Sequence, residues 1–236
     1  MPNPYFKFKQ FTIYHNLCAM KVGTDGVLLG AWTNIPEAKK ALDIGTGTGL
    51  IALMLAQRDN KLCINAIDID SNAIEQAKEN IRQSPFFSQI HILGSSLQDF
   101  RLCGQQYDLI VSNPPFFIQS LKSPHDGRTL ARHTDSLSSD ELLEISAALL
   151  TDNGKLSIIY PFGHKETLFS LSKKHNLYPS RVTNVYPTPV SLPKRVLIEF
   201  SKTELPLIET NLIIEKDRHV YSDEFTGLVK NFYLKM

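Results

Sequence analysis

Four consecutive residues, Asn113-Pro114-Pro115-Phe116, follow an apolar run from Tyr107 to Ser112. Their types suit one task, holding an amino nitrogen attached to a planar, conjugated group. Such a nitrogen is a poor nucleophile because its lone pair is drawn into the ring. An asparagine side-chain oxygen and a backbone carbonyl can each accept one N–H, which favours a pyramidal nitrogen with its lone pair directed at an electrophile. Pro115 has a fixed φ and no N–H, so the Pro114 carbonyl before it is held rigidly. An aromatic ring at 116 can stack on the planar group. This chemistry needs no general base, because the product ammonium is acidic and loses its proton to water. Positioning and preorganised dipoles then supply most of the rate. Taken alone, the same residues also read as a Pro-Pro turn ending a strand, with Asn113 as its turn residue.

The electrophile must come from a second loop, Asp43-Ile-Gly-Thr-Gly-Thr-Gly49. Gly45, Gly47 and Gly49 let the chain turn tightly and bring backbone N–H groups close to a ligand. About 20 residues on, a carboxylate at the end of the next strand can accept both ribose hydroxyls of a nucleoside, and Asp68 stands there. Asp68 and Asp70 also occupy positions where a helix cap is expected, and for Asp70 the cap is the preferred reading. Loops that bind a pyrophosphate space their glycines as G-x-G-x-x-G. This one is G-x-G-x-G, with the acid Asp43 two residues ahead. An acid there repels phosphate and suits the amino-acid part of a zwitterion. S-adenosylmethionine has no phosphate and carries an α-ammonium, so charge favours it over NAD.

The elements that must position these loops alternate regularly. Strands are predicted at Ala41–Ile44, Cys63–Asp68, Gln89–Leu93, Tyr107–Ser112 and Lys155–Tyr160. Helices are predicted at Gly49–Gln57, Asn72–Arg82 and Asp140–Leu150. Such alternation predicts a parallel sheet covered on both faces. Ahead of it, residues 5–14 alternate apolar and polar, as in an exposed strand or hairpin. Thr24 to Trp32 reads as a short helix capped by Thr24 or Asp25. Residues 113–135 break the rhythm with a long polar stretch, and a loop of that length is usually functional or mobile. Later come a helix near Lys165–Lys174, two strands at about 178–187 and 194–202 that can pair antiparallel at an edge, and a final helix within Ser222–Leu234. The whole chain reads as one domain, with residues 1–35 as an extension over the cofactor site and 36–236 as the core.

Asp43 to Gly49 together with Ala66-Ile-Asp68 resembles the cofactor site of the Rossmann-like class I methyltransferases. The resemblance implies a mostly parallel seven-stranded sheet with helices on both faces and an antiparallel C-terminal edge. In that family an acid after the third strand commonly binds the cofactor adenine. Ser96 occupies the matching position here, with Asp99 three residues later, and the Leu97 backbone can contribute. Asn-Pro-Pro-Phe resembles the motif of methyltransferases acting on planar amines, adenine N6 enzymes and release-factor glutamine enzymes alike. Phe116, where the glutamine enzymes usually have Tyr, favours nucleic acid. The run from Phe11 to Trp32, with Lys21-Val-Gly-Thr-Asp-Gly26, resembles the bacterial tRNA1(Val) adenine-37 N6-methyltransferases over essentially the whole chain. That resemblance implies that Lys21, Thr24, Asp25 and Gly26 border the methionine moiety. A helix cap is the alternative for Thr24 and Asp25. It implies a tRNA anticodon stem-loop as partner. A glutamine N-methyltransferase or a non-catalytic RNA-binding relative remain alternatives.

The bulk numbers constrain the partner. Net charge is only +1, so RNA contact must come from a local patch. Candidates are Lys7, Lys9, Lys122, Arg128, Arg132, Lys194 and Arg195, converging on one face. Cys18, Cys63 and Cys103 are too few and too scattered for a disulfide framework or zinc site; reduced, mostly buried thiols are expected. His15, His125 and His133 show no metal spacing. No apolar run approaches the roughly 20 residues of a membrane span, and the start lacks a signal-peptide core. A cytoplasmic, metal-free monomer is expected.

Overall fold

The computed structural model describes residues 3–18, 21–35, 37–114 and 137–235. Its chain begins with a hairpin, β1 (Tyr5–Lys7) and β2 (Thr12–Tyr14), followed by helix α1 (Thr24–Trp32). The alternating section then runs β3 (Lys40–Ile44), α2 (Leu50–Arg58), β4 (Cys63–Asp68), α3 (Ser71–Arg82), β5 (Ile90–Gly94), α4 (Leu97–Phe100) and β6 (Tyr107–Ser112). After it come α5 (Ser139–Leu149), β7 (Leu150–Pro161), α6 (Lys165–Lys174), β8 (Tyr178–Tyr186), β9 (Arg195–Ser201), β10 (Ile208–Ile213), β11 (Glu215–Asp217), β12 (Val220–Tyr221) and α7 (Asp223–Val229).

One sheet of eight strands organises the molecule, in the order β10-β8-β9-β7-β6-β3-β4-β5. Only β9 runs against the others, pairing antiparallel with both β7 and β8. The seven strands that the family resemblance implies are joined by an eighth. β10 pairs parallel with β8, so the β8–β9 pair lies inside the sheet and not at its edge.

Both faces of the sheet are covered, which is why its strands read as near-continuous apolar runs. Pleating sends neighbours to opposite sides. Ala41, Leu109, Val111 and Ile159 join α1, α2, α3 and α7 in one apolar cluster. Leu42, Ile110 and Ile158 join α4, α5 and α6 in the other. The β1–β2 hairpin belongs to the first cluster. Phe8, Phe11 and Ile13 are buried, so the hairpin expected to be exposed is exposed on one face only.

α1 is held at both ends. Its first residues follow Gly23, which caps with backbone alone, so neither Thr24 nor Asp25 is the cap. Asp25 instead bonds Arg195 at the start of β9, Nε to Oδ2 at 2.8 Å. At the far end Trp32 Nε1 donates to Thr183 Oγ1 on β8 at 2.8 Å, and the Arg181 guanidinium lies 3.7 Å from the centre of the indole, a cation–π contact. Between these ends, Gly26 and Gly30 face α2 one turn apart. A Cβ on Gly26 would lie 3.1 Å from Leu50, and one on Gly30 would lie 2.8 Å from Met54 Sδ and 3.0 Å from Met54 Cβ. Gly30→Val should therefore force the two helices apart and cost about 1–3 kcal/mol by overpacking. A urea titration tests this, and an unchanged midpoint would show that the contact has room to spare.

Candidate functional site

β3 and β6 are central, parallel neighbours, but β3 continues to β4 on one side and β6 to β7 on the other. Ligands of open α/β sheets bind at such a reversal, beyond the carboxyl ends of the strands. Ile44 and Ser112 are register partners at those ends. The Ser112 hydroxyl, fully buried, donates to the Ile44 carbonyl at 2.9 Å. The next residues out are Gly45 on one strand and Asn113 on the other. Neighbouring strands lie about 4.8 Å apart, so the glycine turn and Asn113 leave the sheet side by side. Asn113 is half-buried and Pro114 buried. Pro115 and Phe116 lie outside the described residues, as do Lys122, Arg128, Arg132, His125 and His133.

The glycine turn is folded onto β4. The Gly45 and Thr46 amides both donate to Ile67 O, at 2.9 and 3.0 Å. Gly45, Gly47 and Gly49 all have left-handed φ, between 56° and 80°, where other residues are strained. Gly49 packs against Ala77 and Ile81, whereas a Cβ on Gly45 or Gly47 would meet nothing within 4 Å. The turn thus presents bare backbone to an open space. Asp68 anchors it, with Oδ2 accepting from the Gly47 amide at 2.8 Å and Oδ1 from the Asp70 amide at 3.0 Å. Each carboxylate oxygen keeps further acceptor capacity. Asp70 caps α3 through the Asn72 amide.

Asp43 is completely buried beneath the turn. Its Oδ2 accepts from Thr46 Oγ1 at 2.7 Å, while Oδ1 has no partner in bonding geometry. Burial pushes the carboxyl up to about 7. The Thr46 hydroxyl and the nearby Ala52 amide oppose that rise, and the Asp68 charge adds to it. A buried acid beneath the turn disfavours a phosphate above it.

The remaining expected cofactor residues are engaged in different ways. Lys21 and Thr24 are exposed, Asp25 is engaged with Arg195, and Gly26 is packed on Leu50. Ser96 and Asp99 turn out to be partners. Ser96 Oγ accepts from the Asp99 amide at 3.0 Å and donates to Asp99 Oδ2 at 2.7 Å, capping α4. The acid of this region is therefore Asp99, locked to Ser96, with the Leu97 side chain buried beside it.

Two buried amides were not anticipated. Asn80 on α3 donates to both Tyr14 O and Thr48 O, each at 2.9 Å, and accepts from the Tyr14 amide. It fastens the N-terminal hairpin to the glycine turn. Gln76, one turn earlier, accepts from the Leu17 amide. The signal was present in the sequence: both lie on the stripe Ala73, Gln76, Ala77, Asn80, Ile81, which α3 buries.

Among the basic residues, Lys7 and Lys194 are exposed. Lys9 Nζ donates to Lys230 O at 2.6 Å, and Arg195 faces Asp25. The cysteines differ from expectation. Cys63 and Cys103 are exposed and Cys18 half-buried. Burial, with Asp68 and Asp70 nearby, pushes the Cys18 thiol up to about 11, so it stays protonated and unreactive at neutral pH. Among the described residues no group of three His, Cys, Asp or Glu could hold a metal, and no helix is long and apolar enough to cross a membrane.

A glycine turn and an Asn-Pro side by side at the switch point of this sheet define a methyltransferase. Residues 21–165 match the methyltransferase small domain family. A predicted O-methyltransferase from Agrobacterium tumefaciens shares the fold, with a TM-score of 0.69 at 16% identity over 88% of this chain and 96% of that one. Sequence relatives narrow the class. A protein of Parabacteroides distasonis is 52% identical over the full length of both chains, and one of Trichodesmium erythraeum 48% identical over 98% of each. Both are named tRNA1(Val) (adenine(37)-N6)-methyltransferase. The chain belongs to that family.

The buried carboxyl leaves a measurable trace. Folding raises Asp43 from an ordinary 3.8 to about 7, so between those values the native protein holds a proton that the unfolded chain has lost. The stability from this group is fully present below about pH 4 and disappears as pH rises through about 7. Asp43→Asn removes the titration. The stability of wild type relative to the variant, from denaturation at several pH values, should fall across that interval and level off above it. A constant difference would show an Asp43 ionised throughout.

Proposed function

We propose that this protein methylates N6 of adenine 37 in the anticodon loop of tRNA1(Val), with S-adenosylmethionine as donor, and works in the cytoplasm as a monomer. The observation that carries the reading is the β3–β6 register, which sets Asn113 beside Gly45. Full-length likeness to relatives of that name supports the substrate.

The residues present fit the donor. Bare backbone at Gly45 and Gly47 leaves room for it, and the unpartnered Asp43 Oδ1 suits its α-ammonium, directly or through water. Asp68 keeps acceptor capacity for the ribose hydroxyls. In this reading Ser96, Leu97 and Asp99 serve the cofactor adenine and the exposed Lys21 and Thr24 the methionine end, while Asp25 and Gly26 act from behind, through Arg195 and the packing on Leu50. When bound, the donor supplies an electrophilic methyl group on a sulfonium.

The chain's own contribution is to prepare the nitrogen. Asn113 Oδ1 and the Pro114 carbonyl each accept one N–H of the adenine amine, drawing its lone pair out of conjugation and aiming it along the line of attack. Phe116 stacks on the ring, and the surplus proton of the product leaves to water. Lys7, Lys194 and the basic residues at 122, 128 and 132 meet phosphates, a sequence-independent contribution to affinity.

Removing one preorganised polar contact at a reacting centre typically costs a hundredfold or more in turnover. Asn113→Ala should therefore lose at least about two orders of magnitude in methyl transfer to tRNA, while calorimetry shows donor binding retained. Normal turnover would remove Asn113 from the mechanism. Labelled donor offered with release factors in a parallel reaction separates the two amine substrates.

A further inference from the structure

The loop joining β8 to β9, residues 187–194, lies at the same end of the sheet as the site, two strands from β6. Ser112 pairs with Ile158 on β7, Ile158 with Ile198 on β9, and Pro161 with Arg195. β7 and β9 therefore continue three residues beyond the level at which β6 ends, a rise of about 10 Å, on a wall that begins at the next strand. The loop sits on top of that wall, at the same sheet edge as Asn113.

It is stiff. Pro187, Pro189 and Pro193 restrict the backbone. The Thr188 and Ser191 hydroxyls are 2.6 Å apart, and the Ser191 amide donates to Thr188 O at 3.1 Å. Lys194 N donates to Val185 O, and Lys194 O accepts from the Phe162 amide. Arg195 then closes on Asp25. On this braced turn two aliphatic side chains project almost fully into solvent, Val190 at 95% and Leu192 at 79% exposure. A single exposed aliphatic residue needs no explanation. Two on one rigid turn at the sheet edge that releases Asn113, followed by the exposed Lys194, are a presented surface. Thr188, Ser191 and Lys194 around them make it too polar and too small for a protein-binding patch, and suit it to a nucleic-acid backbone with bare base faces between phosphates.

We propose that Leu192 and Val190 form an apolar wedge that enters the anticodon loop and covers the base faces uncovered when the target adenine turns out of its stack towards Asn113, with Lys194 on a flanking phosphate. The proposal rests on the reading that the substrate is an adenine in a tRNA loop. Extruding a base costs a few kcal/mol of lost stacking, and aliphatic wedges offset such a cost where proteins unstack nucleic acid.

Val190→Ser with Leu192→Ser tests the wedge, and because both side chains are exposed the variant should melt with wild type. The probe is an anticodon stem-loop carrying the target adenine, with a second copy carrying 2-aminopurine in its place. The variant should raise KM for the stem-loop about tenfold, within the 1–3 kcal/mol that base contacts contribute. It should leave donor affinity and the salt dependence of RNA binding unchanged, and lose the rise in 2-aminopurine fluorescence that marks unstacking. Lys194→Ala should do the reverse, reducing the salt dependence. A wild type that methylates the stem-loop, beside a variant with unchanged KM and fluorescence, overturns the wedge alone and makes the turn a contact for something else. A wild type that leaves the stem-loop unmethylated overturns the functional reading and the wedge with it.

Discussion

One hydrogen bond summarises what the architecture must achieve. The Ser112 hydroxyl, with no access to solvent, closes on the carbonyl of Ile44 across two parallel strands. A buried hydroxyl without a partner would be costly, so the two strand ends are held at one level. One strand releases the glycine turn and the other releases Asn113. Group transfer depends on how closely two reactants are aligned, and here that alignment is set by sheet register, the least deformable dimension of the fold. The loops can vary in shape, but their starting points cannot drift apart without breaking a ladder in the centre of the core.

Around this fixed point the polar groups have divided tasks. Asp68 holds the turn through the Gly47 amide and still has lone pairs to offer. Asp43 is a carboxyl placed where water does not reach, raised by burial towards neutrality. The Thr46 hydroxyl is the one side chain that bonds it among the described residues, so burial outweighs that contact. Asn80 satisfies the Thr48 carbonyl from behind. The turn's amides are bonded to Ile67, Asp68 and Thr46, and Asn80 adds a partner for a carbonyl that faces the other way.

Much of this was legible in the sequence. The strands and the two long helices from 40 to 112 could be placed within a residue or two, because short apolar runs bounded by turn residues alternate with longer helical segments, whereas the single turn of α4 read as loop. Gly45, Gly47, Gly49 and Asn113 stood out because their chemistry is local: a turn, a strand end, a proline that follows. What escaped was non-local or weakly patterned. The Asp25–Arg195 pair joins residues 170 positions apart, and Asp25 read in isolation looked like a cap. β10 has mostly exposed residues and no clean alternation, so an eighth strand left little trace. The thiols at 63 and 103 look like any small apolar side chain in sequence, yet they stand at element ends that solvent reaches.

The N-terminal hairpin reaches the glycine turn through Asn80, but its other side leans on residues far along the chain. Phe8 bridges to Tyr233, the Lys9 amide donates to Phe232 O, and the Lys9 ammonium grips Lys230 O. Translation delivers the hairpin more than two hundred residues ahead of this support. The hairpin therefore cannot settle until the segment near residue 230 has followed it. The central sheet is free to assemble meanwhile, and a break near residue 230 would be felt at a ligand turn it never touches.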